Sequence, residues 1–343
     1  MKEKGMMLNI GLITDIAFWE IANGQNSRIS ALYSFLAHYS KLTLYYLGEG
    51  ACPFLSPTFQ CKDITAKIAD YLRKAKHDLI IVEKLRLDWI TELGLKGSRI
   101  YLDAHDIVSE RAKAFQQFNR QCAILSFEEE MSRFSKFDKV ILLQKDEVDK
   151  VLPWMGRDRV LLCPHPVVSE QNIPIRKRVK TIGFLGGPSY PNIDGIQWFH
   201  DAILPLLGNL AQKCIVHGVI NCSPFLIYTP NLSKGRLFSS VANYYKVVDI
   251  AINPVLYGSG LKIKTVEALA YGIPLVTTSV GAQGLTKKSN RLFLLADTPQ
   301  EFAHSLFKLT SSYTLRSELS KSSRSFAKLH FTPHACFNTL LKA

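Results

Sequence analysis

The sequence predicts an α/β protein with two doubly wound, parallel-sheet domains. Its 343 residues are enough for two domains of about 150 residues each. Short apolar runs that suit buried parallel strands alternate with helical patterns along both halves of the chain. A polar and basic stretch with one proline separates the halves. We therefore expect an N-terminal domain over 1–167, a linker over 168–180 and a C-terminal domain over 181–343.

The first half begins with a predicted strand at 8–13, a loop, and an amphipathic helix at 27–39. A loop that follows the first strand of an α/β domain lies at the carboxyl edge of the sheet, where ligands bind. Gly24 lies in this loop, either to let the backbone approach a ligand or as part of a helix-capping turn. Further strands are predicted at 42–47, 79–82, 99–103, 137–144 and 160–163, and helices at 64–76, 127–134 and 146–152. The acidic run 128–130 is expected on a solvated helical face.

The second half opens with an apolar strand that ends in the turn Gly186-Gly187, followed by a helical stretch. Another strand is predicted at 213–219 and a last one at 293–295. Asp297 and Pro299 then suit the start of a helix, because aspartate caps helices and proline is tolerated in the first turn. Beyond Tyr313 the chain is predicted to be helical and basic.

The stretch 249–285 carries the strongest signal, because it predicts a strand, a glycine-rich turn, a helix and a second strand. The turn Gly258-Ser259-Gly260 has no bulky side chain, so its backbone N–H groups can approach a ligand. A helix that begins at about Gly260 adds free N–H groups and the positive end of its dipole. Lys262 and Lys264 in the first turn are unfavourable without an anion. The pattern predicts a diphosphate site, although a tight connection with two surface lysines is the plain alternative.

Glu267 lies farther along the same predicted helix, which ends at Gly272. A carboxylate in a nucleotide site accepts hydrogen bonds from ribose hydroxyls, as it does in dinucleotide-binding folds. We therefore interpret Glu267 as a ribose ligand, with an exposed surface carboxylate as the alternative.

The pattern G-S-G-L-K-I-K-x-x-E-A-L-A-x-G-I-P-L-V-T-T resembles the donor-nucleotide motif of GT-B glycosyltransferases. The resemblance is to the large retaining group 1 family, which includes glycogen-synthase-like and mannosyltransferase-like enzymes. It implies two Rossmann-like domains facing a central cleft, a nucleotide-sugar donor, and a contact between Glu267 and the donor ribose. Ser259 stands where many members have a glutamate that faces the transferred sugar, and a subgroup has the G-S-G-x-K form instead.

Other segments extend the resemblance. YLDAHDIVSER resembles a D-x-H-D segment of the family, which implies that His105 reaches toward the transferred sugar; a structural role is equally open. Gly186-Gly187 resembles the first loop of the donor domain, but the arginine and lysine that many relatives place there are missing, so Lys262 is predicted to supply that charge. Gly24 matches half of the loop that faces the donor phosphate.

The resemblance also covers the end of the second half. The segment 235–246 resembles the one whose backbone meets the nucleotide base, so Arg236 is a binding residue or an ordinary surface residue. In relatives the final helix crosses back, so we expect residues 325–343 to pack on the N-terminal domain.

Charge and composition restrict the partners. The net charge is +13; residues 1–168 hold 23 basic and 21 acidic residues, and residues 169–343 hold 19 and 8. The excess in the second half favours an anionic donor. Nucleic acid is not expected, because no nucleic-acid-binding motif is present. Three further features predict a cytoplasmic protein. The seven cysteines lack C-x-x-C spacing, no apolar run is long enough for a membrane span, and no apolar signal segment is present.

The expected function is a glycosyltransferase, retaining by resemblance, that moves a sugar from a nucleotide-diphosphate sugar to a glycan or lipid-linked acceptor in bacterial surface polysaccharide synthesis. A lipid-linked acceptor would allow peripheral contact with the inner face of the membrane. We expect no cofactor and no metal, because the chain lacks the Asp-x-Asp motif of metal-chelating transferases. The alternatives are an epimerase-type GT-B enzyme and a non-catalytic nucleotide-sugar-binding protein.

Overall fold

The computed structural model describes residues 7–20, 24–49, 58–60, 64–169, 172–223 and 232–342. The chain forms two compact units. Unit 1 comprises Met1–Glu110, Ala123–Pro166 and Pro333–Ala343, and unit 2 comprises Arg111–Cys122 and Val167–Thr332. The segment Arg111–Cys122 of the first half belongs to unit 2, which the predicted boundary near residue 167 did not include. The C-terminal eleven residues belong to unit 1, and they lie within the stretch 325–343 that is predicted to pack on the N-terminal domain.

Unit 1 contains a parallel sheet of seven strands in the order β3-β2-β1-β4-β5-β6-β7. The strands are β1 (Asn9–Thr14), β2 (Lys41–Tyr46), β3 (Thr58–Gln60), β4 (Leu79–Glu83), β5 (Arg99–Asp103), β6 (Lys139–Leu142) and β7 (Val160–Leu162). The helices that begin in the first half are α1 (Gly24–Tyr39), α2 (Ile64–Ala75), α3 (Val108–Gln117), α4 (Phe127–Phe134) and α5 (Lys145–Met155). All five residues of β4 are buried, as expected for a parallel strand covered on both faces.

Unit 2 contains a parallel sheet of six strands in the order β10-β9-β8-β11-β12-β13. The strands are β8 (Ile182–Leu185), β9 (Cys214–His217), β10 (Ser233–Lys234), β11 (Ile250–Asn253), β12 (Leu275–Thr277) and β13 (Leu294–Leu295). The helices are α6 (Tyr190–Trp198), α7 (Val241–Tyr245), α8 (Ile263–Tyr271), α9 (Pro299–Ser311) and α10 (Tyr313–His330), and a short α11 (Pro333–Phe337) follows in unit 1.

Each sheet reverses its strand order at one place. In unit 1 the strands run outward from β1 on one side and from β4 on the other, and in unit 2 they run outward from β8 and from β11. Such switch points of doubly wound sheets are where the loops at the carboxyl ends leave room for ligands. The predicted α/β class with two doubly wound parallel sheets is confirmed.

The two units have separate hydrophobic cores. In unit 2, Phe184, Phe199 and Phe302 are fully buried around the sheet. In unit 1, Phe134 and Phe137 are buried on the sheet beside the aliphatic residues of β4, β5 and β6. Burial of each such aromatic side chain stabilises the fold by roughly 1.5–3 kcal/mol.

Three local predictions need correction. The first helix begins at Gly24 rather than at residue 27. Helix α8 begins at Ile263 rather than near Gly260, because Gly260 has a left-handed backbone (φ +75°) and Lys262 is extended. The acidic run on α4 is not wholly solvated. Glu130 is fully buried, and its carboxylate accepts hydrogen bonds from the backbone N–H groups of Val108 (2.7 Å) and Ser109 (2.8 Å), which caps α3.

Within the residues that the structure describes, no helix combines the length and the apolar content that a membrane span requires.

Candidate functional site

The loops that follow β8 and β11 lie side by side at the switch point of unit 2. The Lys264 ammonium donates a hydrogen bond to Asn192 Oδ1 (2.5 Å), and Asn192 Nδ2 donates to the carbonyl of Gly187 (3.0 Å). A Cβ placed on Gly258 would lie 4.0 Å from Pro191 Cγ. The structure therefore brings the Gly186-Gly187 turn and the Gly258-Ser259-Gly260 turn together, although about 70 residues separate them in sequence.

Glycine is required in the second turn by its backbone. Gly258 has φ +125° and Gly260 has φ +75°, and residues that carry a side chain rarely adopt either backbone conformation. Gly258 and Ser259 are half-buried, whereas Gly260 is buried. The turn thus places main-chain groups, rather than side chains, in front of the N-terminus of α8.

Lys262 is held by the turn itself. Its ammonium donates hydrogen bonds to the carbonyls of Ser259 (2.9 Å) and Gly260 (2.9 Å) and to Gln283 Oε1 (2.6 Å). Gln283 in turn donates a hydrogen bond from Nε2 to the carbonyl of Gly258 (3.3 Å). Lys262 therefore stabilises the turn, and its predicted contact with a diphosphate stays a prediction.

Lys264 is the cation that faces the first turn. Its ammonium lies 4.2 Å from the centre of the Phe184 ring and bonds to Asn192. Burial lowers the pKa of Lys264 to about 7, an effect that the charge of Glu267 opposes and that of Lys262 reinforces. Sequence reasoning favoured Lys262 as the source of the charge. In the structure the ammonium of Lys262 bonds to its own turn and to Gln283, whereas that of Lys264 bonds to Asn192.

Glu267 lies one turn beyond Lys264 on α8 and is half-buried. Burial raises the pKa of its carboxyl group to about 7, and the charge of Lys264 opposes that shift. Burial raises the pKa values of Tyr244, Tyr245 and Tyr271, and the negative charge of Glu267 raises them further. A carboxyl group and an ammonium with displaced pKa values at a switch point are typical of a binding site.

A buried polar network supports the turn from below. Asn253, at the carboxyl end of β11, donates hydrogen bonds from Nδ2 to Thr265 Oγ1 (3.0 Å) and to the carbonyl of Gly281 (3.2 Å). Thr265 Oγ1 donates to the same carbonyl at 2.7 Å. The network ties β11, α8 and the loop after β12 together. Sequence reasoning missed it because buried amide and hydroxyl groups have no local signature.

The remaining predicted residues of unit 2 lie near the same edge of the sheet. Gly186 and Gly187 are half-buried directly after β8. Gly235 is tightly packed, because a Cβ there would come within 2.1 Å of His217 Nδ1. Arg236 is exposed and its guanidinium lies 4.9 Å from the centre of the Phe238 ring. Its contact with a nucleotide base stays a prediction.

His105 lies in unit 1 immediately after β5, and its backbone is in the left-handed region (φ +66°). It is buried, and its Nε2 shares a hydrogen bond of 2.7 Å with Glu83 Oε2 at the end of β4. Burial, followed by the charge of Lys84, lowers the pKa of His105 well below its usual value. Burial, followed by the charge of Asp103, raises the pKa of Glu83 well above its usual value. Backbone strain retained at such a position is common at functional sites.

One ligand atom from each of Glu83, Asp103 and His105 lies within 4.8 Å of the others, a spacing that suits a metal ion. Arg28 changes that interpretation. Its buried guanidinium bonds through Nε to Asp103 Oδ2 (3.0 Å) and through Nη1 to the carbonyl of Pro164 (2.8 Å). The Arg28 guanidinium therefore supplies the positive charge beside Asp103, and His105 Nε2 is already hydrogen-bonded to Glu83. The cluster fits a hydrogen-bonded network better than a metal site.

Gly24 is the first residue of α1 and is exposed. Residues 21–23, which include its partner Asn23 in the predicted loop, lie outside the described residues. The predicted approach of this loop to a phosphate stays a prediction.

The family match covers the part of unit 2 that contains this site. Residues 179–312 match the family Glycosyl transferases group 1. A curated relative, the "Uncharacterized 44.6 kDa protein in cps region" of Klebsiella pneumoniae, is 23% identical over 220 residues. The match covers 61% of this chain and 56% of that protein, so it spans only about half of the relative's length.

Solved structures share the fold over nearly the whole chain. Sucrose-phosphate synthase from Thermosynechococcus elongatus superposes with a TM-score of 0.72 at 15% identity and covers 97% of both chains. The Anabaena protein HepE in complex with UDP-glucose superposes with a TM-score of 0.67 at 14% identity and covers 98% of both chains. The chain has the GT-B fold, and its donor-side segment 179–312 is similar to the group 1 glycosyltransferases.

Proposed function

We propose that the protein transfers a sugar from a nucleoside-diphosphate sugar to a glycan or lipid-linked acceptor. The observation that carries the proposal is the meeting of two glycine turns at the switch point of unit 2, in front of the N-terminus of α8 and beside Lys264. The main-chain N–H groups of the turns, the dipole of α8 and the Lys264 ammonium together suit a diphosphate. Glu267, one turn farther along α8, is placed to accept hydrogen bonds from the adjoining ribose.

The chemistry rests on stabilising a leaving group. When the bond between the sugar and the diphosphate breaks, negative charge grows on the β-phosphate oxygen. The N–H groups of the turn and the Lys264 ammonium stabilise that charge without reorganising. Lys262 keeps the turn in shape through its bonds to Ser259 and Gly260. A Lys262→Ala variant with unchanged donor affinity and turnover would reject any role for Lys262 in the site.

We extend the proposal to retention of anomeric configuration and to contact of His105 with the transferred sugar, both on the resemblance of the motifs. Ser259 occupies the position at which many members have a glutamate facing the sugar. The anomeric proton signal of the product, compared with that of the donor by NMR, decides between retention and inversion.

We also propose that transfer needs no metal ion, because the clustered carboxylates of unit 1 are engaged by Arg28 and His105. Turnover should persist after dialysis against a chelator. Loss of turnover that added Mg²⁺ or Mn²⁺ restores would contradict this.

The acceptor class is inferred from a relative and from the motif resemblance. The name of the Klebsiella relative places that protein in a cps region. Together with the resemblance to enzymes that build bacterial surface glycans, this favours surface polysaccharide synthesis on a glycan or lipid-linked acceptor. Sedimentation with vesicles that carry a lipid-linked acceptor tests the peripheral membrane contact.

The first experiment is a thermal-shift screen against UDP, GDP, ADP and CDP and their common sugar conjugates. We expect one base to raise the melting temperature, and the matching sugar donor to be consumed when acceptor is added. The proposal fails if none of these nucleotides binds. Binding without consumption of donor would instead favour the second candidate, a non-catalytic nucleotide-sugar-binding protein, which Ser259 in place of glutamate suggests.

A further inference from the structure

A short segment of the first half of the chain is bound to unit 2 beside the candidate site. Arg120, just after α3, donates hydrogen bonds from Nε (3.0 Å) and Nη2 (2.5 Å) to the two carboxylate oxygens of Asp194 on α6. The Tyr257 hydroxyl donates to the same carboxylate at 2.5 Å. A bidentate arginine–carboxylate pair is both directional and charge-assisted, so it holds a fixed geometry.

Aromatic contacts reinforce this attachment. The ring of Phe118 stacks on that of Tyr257 with a centroid separation of 4.3 Å and an interplanar angle of 20°. Phe115 meets Tyr257 edge to face at 5.1 Å. The Arg120 guanidinium lies 4.7 Å from the centre of the Tyr190 ring. Such ring and cation–ring contacts favour one fixed geometry of the Tyr257 and Tyr190 side chains.

The residues that this segment holds lead directly into the two turns of the candidate site. Tyr257 is buried and immediately precedes Gly258. Tyr190 and Asp194 lie in α6, which begins three residues after Gly187. One segment is therefore attached to the elements on which both turns depend.

Glycine turns need such support. A glycine has more accessible backbone conformations than any other residue, so fixing Gly258 and Gly260 in one conformation costs conformational entropy. A contact that fixes the turn before the ligand arrives removes part of that cost from binding. Arg120 is suited to this, since its guanidinium is always charged and its two hydrogen bonds to Asp194 fix its orientation.

We infer that residues 115–120 form a positioning clamp, in which Phe118 and Arg120 hold Tyr257 and Asp194 so that the turns at 186–187 and 258–260 keep their ligand-binding geometry. Neither Phe118 nor Arg120 is a catalytic residue, because both act through other side chains. The part of the inference that concerns a ligand rests on the proposed function; the part that concerns the order of the turn does not.

The test compares Phe118→Ala and Arg120→Ala with the wild-type chain. Hydrogen exchange of the peptide 255–262 should accelerate about tenfold in both variants, because a loss of about 1.4 kcal/mol in local opening free energy is a factor of ten. The dissociation constant for UDP, measured by titration calorimetry, should rise by about five- to tenfold. Phe118→Tyr, which keeps the stacked ring, should restore both quantities.

Arg133→Ala is a matched control. Arg133 forms a bidentate pair of the same kind with Asp88 (2.8 and 3.0 Å), but within unit 1. It should leave the exchange of 255–262 and the affinity for UDP unchanged.

The results separate the clamp from the proposed function. Unchanged exchange of 255–262 in Phe118→Ala and Arg120→Ala overturns the clamp, and so does an equal acceleration over the whole of unit 2. If exchange accelerates locally while neither UDP, GDP, ADP nor CDP binds the wild-type chain, the clamp stands and the proposed function fails.

Discussion

The carboxyl ends of the two sheets hold similar residue types but use them differently. In unit 1, Glu83, Asp103, His105 and Arg28 are all buried and form two hydrogen-bonded pairs, Arg28 with Asp103 and His105 with Glu83. In unit 2, Lys264 and Glu267 share a helix and have pKa values near 7, while the adjacent glycine turns offer main-chain groups. Charges that are paired internally maintain a structure, whereas charges held near their titration point can respond to a ligand.

The largest effect is expected from breaking the buried pair of unit 1. Arg28→Met would leave the Asp103 carboxylate buried without its cation, and such losses cost about 3–5 kcal/mol of unfolding free energy. Chemical denaturation measures this loss.

The exposed pair Arg73–Asp70 provides the control, since side chains on both partners are more than half exposed. Arg73→Ala should cost less than about 1 kcal/mol. If Arg28→Met proves no more destabilising than Arg73→Ala, the buried pair of Arg28 and Asp103 does not stabilise the fold.

The next effect concerns the turn of unit 2. Gly260→Ala places a side chain at φ +75°, which should cost about 1–2 kcal/mol of stability and distort the turn. We expect weaker binding of UDP, by about tenfold or more, in titration calorimetry.

Gly187→Ala is a stability control, because Gly187 has no positive φ and no atom lies within 4 Å of a Cβ placed there. Its unfolding free energy should stay within about 0.5 kcal/mol of wild type. Equal destabilisation by the two substitutions would show that the left-handed turn has no special requirement for glycine.

The third prediction uses the pKa of Lys264, which is lowered to about 7 in the ligand-free protein. A bound diphosphate raises this pKa, so binding takes up a proton at any pH between the two values. Affinity for UDP should therefore fall as pH rises above about 7, by at most about tenfold per pH unit.

Calorimetry in buffers of different ionisation enthalpy measures the proton uptake directly. Lys264→Arg keeps a permanent charge and should remove the part of the pH dependence that Lys264 contributes over this range. A wild-type affinity that does not change with pH would exclude Lys264 from the diphosphate site.

The smallest effect is expected at Glu267. Its pKa in the folded protein, about 7, lies above its ordinary value, so its carboxyl favours the folded state fully only at acidic pH and loses that contribution as pH rises through 7. Glu267→Gln should therefore gain stability at pH 8, on the order of 1 kcal/mol or less, while it weakens nucleotide binding about five- to tenfold. Thermal melts and calorimetry measure the two effects; undiminished affinity would reject the ribose contact.

Much of the fold and part of the site are predictable from local pattern. The strand, turn and helix of 249–285 follow from apolar periodicity and glycine positions, and Gly272 ends α8 in a left-handed conformation (φ +67°) as its position predicted. The domain boundaries were less predictable, because the attachment of 111–122 to unit 2 depends on contacts with residues far along the chain.

The sequence by itself determined the two doubly wound sheets, the glycine turn and the presence of two lysines and a glutamate around it, because these follow from backbone preference and from periods of two to four residues. Only the tertiary structure decided that Lys262 bonds to its own turn while Lys264 faces the other one, that His105 meets Glu83, and that Arg120 reaches Asp194. The physical reason is the long separation of these partners in sequence. Side-chain partners 22 and 74 residues apart in sequence are chosen by the packing of whole elements, which no local pattern records.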